Sequence, residues 1–115
     1  MELSKSDKKK ARILIDKGIL KEFEICNASV LKILTDWKNE KKETREAYAK
    51  VYETVRKNDK YIASNYDAIS GDDYFVTVLN MYCNGLITEE EINPFSEIVR
   101  ERLKSLKKEF SLIES

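Results

Sequence analysis

With 115 residues the chain is the size of one domain. Lys plus Arg and Asp plus Glu are each 21, so the net charge is zero, and no global attraction to nucleic acid or anionic membrane is expected. Histidine is absent, which excludes Ser-His and Cys-His nucleophiles, His-containing zinc sites and the ExxH di-iron bundle, while three Gly and one Pro argue against a turn-rich all-β fold.

The first predicted helix starts at Ser4 or Ser6, either of which can cap free backbone N–H groups. It extends to Trp37. Ala11, Ile15, Ile19, Cys26, Val30, Ile33 and Trp37 recur at helical spacing and form its inner stripe. Gly18 lies inside that stripe and costs about 1 kcal/mol relative to Ala. It either permits close helix packing or breaks the helix. Lys38 to Glu43 form a polar connection.

A second helix is predicted from Thr44 to Tyr66, with Ala47, Val51, Val55, Ile62 and Tyr66 inside. Asn58 falls in the middle of this stripe. An unpaired buried amide costs about 1–3 kcal/mol, so Asn58 is expected to bond across the core or to mark a bend. Tyr48, Tyr61 and Tyr66 flank the stripe and are expected to bury their rings and expose their hydroxyls. Asp67 to Asp72 read as a turn.

Tyr74 to Leu79 carry β-branched residues and suit a strand by composition. Thr77, Asn80 and Asn84 nevertheless share one narrow helical face, and Gly85 supplies a stop. Helix is therefore expected from Asp72 to Asn84. Thr88 and Glu91 match a capping box. Asn93-Pro94 then read as the start of a last helix, with Asn as cap and Pro at the first helical position. Phe95, Val99, Leu103, Leu106, Phe110 and Ile113 are its apolar stripe. The expected fold class is all-α: an antiparallel bundle of about four helices with a long N-terminal helix, forming a single domain over residues 1–115, with fraying at about five N-terminal and a few C-terminal residues.

The chemistry-bearing candidates are few. Asn80, Tyr82, Asn84, Gly85, Ile87 and Glu91 fall on the register of an EF-hand calcium loop, but carboxylates are missing at its first three ligand positions. Asp72, Asp73 and Glu89 to Glu91 stand at predicted helix starts, where the macrodipole favours acids, which accounts for them better than acid–base catalysis does. Cys26 and Cys83 form no CxxC and are expected as reduced, buried thiols. No cofactor, metal or catalytic residue is expected, and no enzyme activity. No signal peptide or spanning segment is evident. The bias of Lys over Arg, with frequent Ile and Asn, fits an AT-rich bacterial genome.

Surfaces carry the functional expectation. Ile13, Leu20 and Leu31 lie within about 20° of one another, opposite much of the main stripe of the first helix. Either further helices cover them or they form an association surface, most simply a homodimer; the second is favoured. Tyr52, Arg56 and Asp59 make a second exposed patch of hot-spot composition. The chain is thus expected to be a cytoplasmic, non-catalytic protein–protein interaction or self-association module. The alternative is a nucleic-acid-associated accessory protein using Lys8, Lys9 and Lys10 at one end and Arg100, Lys104, Lys107 and Lys108 on the last helix. On that helix, however, Glu97, Glu101 and Lys104 are spaced for intrahelical ion pairs.

Overall fold

The structure, a computed structural model, describes residues 1–114. Four helices dominate: α1 (Lys5–Lys38), α2 (Thr44–Tyr66), α3 (Tyr74–Cys83) and α4 (Glu97–Glu114). Single 3₁₀ turns at Gly71–Asp73 and Glu90–Ile92 precede the last two, and there is no strand among the described residues. The all-α class is as the sequence predicts. Fraying expected at the C-terminus falls partly on Ser115, outside the described residues. The helices fall into two compact units, Met1–Gly18 with Ile69–Ser115, and Ile19–Ala68, and α1 contributes to both.

The first unit holds the core. Ser4 caps α1, its Oγ accepting from the Asp7 N–H at 3.1 Å. Asp7 is itself buried, and its carboxylate reaches the start of α4: Oδ1 accepts from the Ser96 N–H at 3.0 Å and Oδ2 from the Ser96 hydroxyl at 2.6 Å. An acid from one helix thus satisfies an orphan donor at the N-terminus of another, where the macrodipole also favours a negative charge. Burial alone would push the Asp7 carboxyl up. The hydrogen bonds from Ser96, together with Ser4 and the charge of Lys10, outweigh it and hold the carboxyl below its ordinary value.

In the same core Ile15, Val78, Met81, Ile92 and Leu103 are fully buried. Gly18 does not break α1. A Cβ placed there would come within 2.7 Å of Met81 Sδ and 2.8 Å of its Cε, so the glycine admits the methionine side chain against the helix backbone. Leu14, outside the expected stripe, is also buried.

Residues 74–79 are helical. Ser70 N–H donates to the Asp73 carboxylate at 2.9 Å, which fixes the turn that launches α3. Thr77, placed on the polar face by sequence, is buried instead. Its hydroxyl returns to the Asp73 carbonyl at 2.9 Å, which satisfies it without solvent, and Val76 takes an exposed position. Gly85, at φ +80, ends α3: its N–H bonds the Tyr82 carbonyl and the Leu86 N–H bonds that of Met81, the paired bonds of a Schellman motif.

The Thr88–Glu91 capping box forms, with bonds of 3.0 and 3.2 Å. The start of the last helix is corrected. Asn93 and Pro94 lie in a turn, and α4 begins three residues later, after Ser96. The reason is that Asp7 pins Ser96, while Arg100 Nη1 donates to the carbonyls of Asn93 and Phe95 at 3.1 and 3.0 Å and holds that turn open. Phe95, Val99 and Leu103 of the expected stripe are buried, but Phe110 and Ile113 are exposed.

The second unit is a helical hairpin. Glu40, at φ +61, turns the chain out of α1; the Glu40 N–H bonds the Trp37 carbonyl and the Lys41 N–H that of Asp36. Trp37 Nε1 then donates to Thr44 Oγ1 at 3.0 Å across the turn. Farther along, Leu34 shares a groove with Ala47, Tyr48 and Val51, and Cys26 shares another with Asn58. The helices are therefore antiparallel within this unit.

Several expectations fixed by sequence here are corrected. Asn58 is only half-buried and does not bond across a core, because two helices without a third layer leave it open to water. Tyr48 is 77% exposed and Val55 is exposed, although Tyr66 is buried and its hydroxyl is held protonated well above the usual range by that burial, with Tyr61 and Glu22 nearby. The two half-buried cysteines form no disulfide; the expectation that they are buried fails for the same lack of cover at Cys26.

Replacing Asp7 by Ala is expected to cost about 2 kcal/mol, because the charge-assisted hydrogen bonds from Ser96 to a buried carboxylate are lost. Since folding lowers the Asp7 carboxyl from its ordinary value of 3.8, its contribution is complete above that pH and fades as pH falls through the lower native value. Denaturant titrations of wild type and Asp7→Ala from neutral pH to pH 2 should therefore converge at the acid end. Gly18→Val should destabilise by about 1–3 kcal/mol through overpacking, and Met81→Ala in the same chain should recover part of that loss in a double-mutant cycle.

Candidate functional site

The feature that sets the second unit apart is how little it buries. Among residues 19–68 the buried side chains are Ala47 and Tyr66. A soluble helix ordinarily hides one stripe of about 100°. Here Ile19, Cys26, Val30 and Ile33 are only half-buried, and Phe23, Leu34 and Trp37, on the same flank of α1, are exposed. On α2 the half-buried row Val51, Asn58 and Ile62 is flanked by the exposed Tyr48, Tyr52 and Val55.

The two sides of the hairpin differ. One groove between the helices, the more polar of the two though still mainly apolar in surface, is lined by Glu22, Ser29, Thr54, Lys57, Asn58 and Tyr61 and edged by Ile25 and Cys26. Burial there raises the Glu22 carboxyl above its ordinary value. The other groove is lined by Leu34, Trp37, Ala47, Tyr48, Val51 and the Thr44 that bonds Trp37, an almost wholly apolar set. Salt bridges Lys57–Glu53 at 2.8 Å and Lys42–Glu46 at 3.5 Å run along α2 and its leading edge rather than across to α1.

The association residues read from sequence are exposed. Leu20 and Leu31, in this unit, are 62% and 66% accessible. Ile13, in the first unit, is 57% accessible and edges a separate groove with Lys10, Leu14, Lys17, Pro94 and Phe95. Tyr52, Arg56 and Asp59 are all exposed on α2. Sequence reading missed Phe23, Leu34, Trp37 and Tyr48 as surface residues because each fits an amphipathic stripe or its margin. Periodicity marks a face as apolar and does not say whether anything covers it.

The basic residues of α4 are mostly engaged inside the first unit. Arg100 holds the 93–95 turn, Lys104 Nζ lies 3.5 Å from Glu89, and Lys107 Nζ sits 4.1 Å above the Tyr82 ring. The ion pairs expected from Glu97 and Glu101 to Lys104 do not form, because Glu89 takes the lysine. Lys108 and Lys9 are exposed, and Lys8 and Lys10 are half-buried.

The calcium register is broken by the backbone. Asn80 and Tyr82 lie within α3, where successive helical positions cannot converge on one ion as the positions of a calcium loop do, and the Glu91 carboxylate accepts the Thr88 N–H. No group of three or more metal-ligating side chains occurs among the described residues, and no helix among them is long and apolar enough to cross a membrane.

No protein-family model, curated protein or solved structure matches the chain.

Thr88→Ala should cost about 1 kcal/mol by loss of the cap. The melting temperature of the wild type should not move with millimolar Ca²⁺. A calorimetric scan of both proteins, with and without the ion, checks both statements.

Proposed function

We propose that this chain is a non-catalytic, cytoplasmic protein–protein interaction module that works by self-association. The observation that carries the reading is the hairpin of residues 19–68, which keeps large apolar side chains from both helices in water while burying only Ala47 and Tyr66. Ordering each residue costs about 1–2 kcal/mol of backbone entropy. Two helices that hide so little apolar surface gain little to offset it. Contiguous exposed apolar patches of this size are characteristic of association surfaces. Exposed Leu20 and Leu31 extend the patch on α1, and Tyr52 with Arg56 supplies on α2 the residue types that dominate binding energy at interfaces.

The nucleic-acid reading has weaker support. It needs free cations, and three of the four basic residues named for it on α4 already have partners within their own unit.

Light scattering across a concentration series tests the proposal. Wild type should exceed the monomer mass in the micromolar range, and Leu20→Asp should be monomeric with an unchanged helical circular dichroism spectrum, because a charge placed on the patch is solvated only in the monomer. A wild type that stays monomeric up to about 500 μM, where any dimer with a dissociation constant in the micromolar range would be populated, would refute self-association.

A further inference from the structure

Self-association through the hairpin leaves open how two copies meet. Resting on that reading, we infer that the occupant of the apolar face is a second copy of this chain, with α1 antiparallel to the second copy's α1 and Asn27 on the two-fold axis.

The argument starts from the helical rotation of about 100° per residue. From Ile19 to Trp37, an arc of about 120° holds Ile19, Phe23, Val30, Leu34 and Trp37, then Asn27, Leu20 and Leu31. None of these side chains is charged. Glu22, Glu24, Lys21, Lys32 and Asp36 all lie outside the arc. On α2 the exposed Tyr48, Tyr52 and Val55 are rotated from the inner row in the direction of increasing angle, as Phe23 and Leu34 are on α1. Because the two helices run antiparallel, rotation in the same sense carries both rows to the same side of the hairpin. The apolar groove, which places Leu34 beside Tyr48, shows that they meet there, and the more polar groove with Glu22 and Lys57 lies on the other side.

Such a face is half of a four-helix bundle. Its extent suits a second hairpin. The exposed parts of Leu20, Phe23, Leu31, Leu34, Tyr48 and Tyr52 add to roughly 700 Å², taking large side chains at about 150–250 Å² each. A stable interface takes about 800 Å² per partner.

The order of residues points to a like partner. In an isologous contact between antiparallel helices, the pattern must read the same outward from the axis in both directions. Along the outer edge of the α1 arc it does. Leu31 and Phe23 lie four residues either side of Asn27, and Leu34 and Leu20 lie seven either side. Placing Asn27 against Asn27 of the second copy sets Leu20 against its Leu34 and Phe23 against its Leu31. The asparagine then meets its own image, where two amides can hydrogen-bond to each other. A single polar residue in an apolar seam fixes register in this way, because shifting the seam by one or two turns buries the amide against Leu20, Phe23, Leu31 or Leu34.

Cysteine cross-linking tests the register. In a Cys26→Ser, Cys83→Ser background with unchanged circular dichroism, Asn27→Cys should form a disulfide-linked dimer on mild oxidation, at least about tenfold faster than Ser29→Cys on the more polar groove, because a disulfide needs Cα atoms within about 7 Å. A mixture of Leu20→Cys and Leu34→Cys chains should yield the mixed dimer in excess over either self-linked species. If light scattering shows a dimer but Asn27→Cys does not link to itself, or links to Arg56→Cys of another chain instead, the α1–α1 register is overturned while self-association stands. A monomeric wild type overturns both.

Discussion

One carboxylate ties together the part of this protein that has a core. Asp7 stands in the first turn of α1, yet it serves the first turn of α4, accepting two hydrogen bonds from Ser96. A helix start leaves backbone donors without partners, and here an acceptor from another helix takes one of them. By supplying that acceptor, Asp7 decides where α4 begins. The start of α4 sets the rotation of its stripe, which places Val99 and Leu103 with Ile15, Val78 and Met81 in the buried set. The close approach of Met81 to Gly18 belongs to the same packing: a methionine fills the space that the missing Cβ leaves.

The elements governed by local rules were legible in the sequence. The limits of α2, the Ser4 cap, the stop at Gly85 and the Thr88–Glu91 box all depend on groups within a few residues of one another. What was not legible depends on distant partners. Asn93-Pro94 has the composition of a helix start, but Asp7, 89 residues from Ser96, moves the start onward. Thr77 reads as a surface residue until its hydroxyl finds the Asp73 carbonyl. The surface of the hairpin was legible only in part. Leu20 and Leu31 stood out because they lie off the main stripe, whereas Trp37 and Val55 looked like core, since a stripe without a cover has the same periodicity as one with it.

The two units distribute their polar groups differently. In the first, charges are put to internal use: Arg100 braces a turn, Lys104 reaches Glu89, and Lys107 covers an aromatic face. In the second, the pairs Lys42–Glu46, Lys50–Glu53 and Lys57–Glu53 follow the course of α2 and tie nothing to α1. Association of the hairpin as proposed would accordingly depend on apolar contact and on an amide, which salt screens little. This is the opposite of the salt response expected for a phosphate-binding surface.

The sparse interior of residues 19–68 also sets a rhythm of motion. Segments with few buried apolar contacts open at low free energy, well before the whole molecule unfolds. In the isolated chain the amides of α2 would exchange with solvent through such openings, while those near Ile15, Val78 and Leu103 wait for global unfolding. Anything that binds only the closed hairpin slows the first process and leaves the second alone, so the hairpin's protection reports its occupancy by mass action.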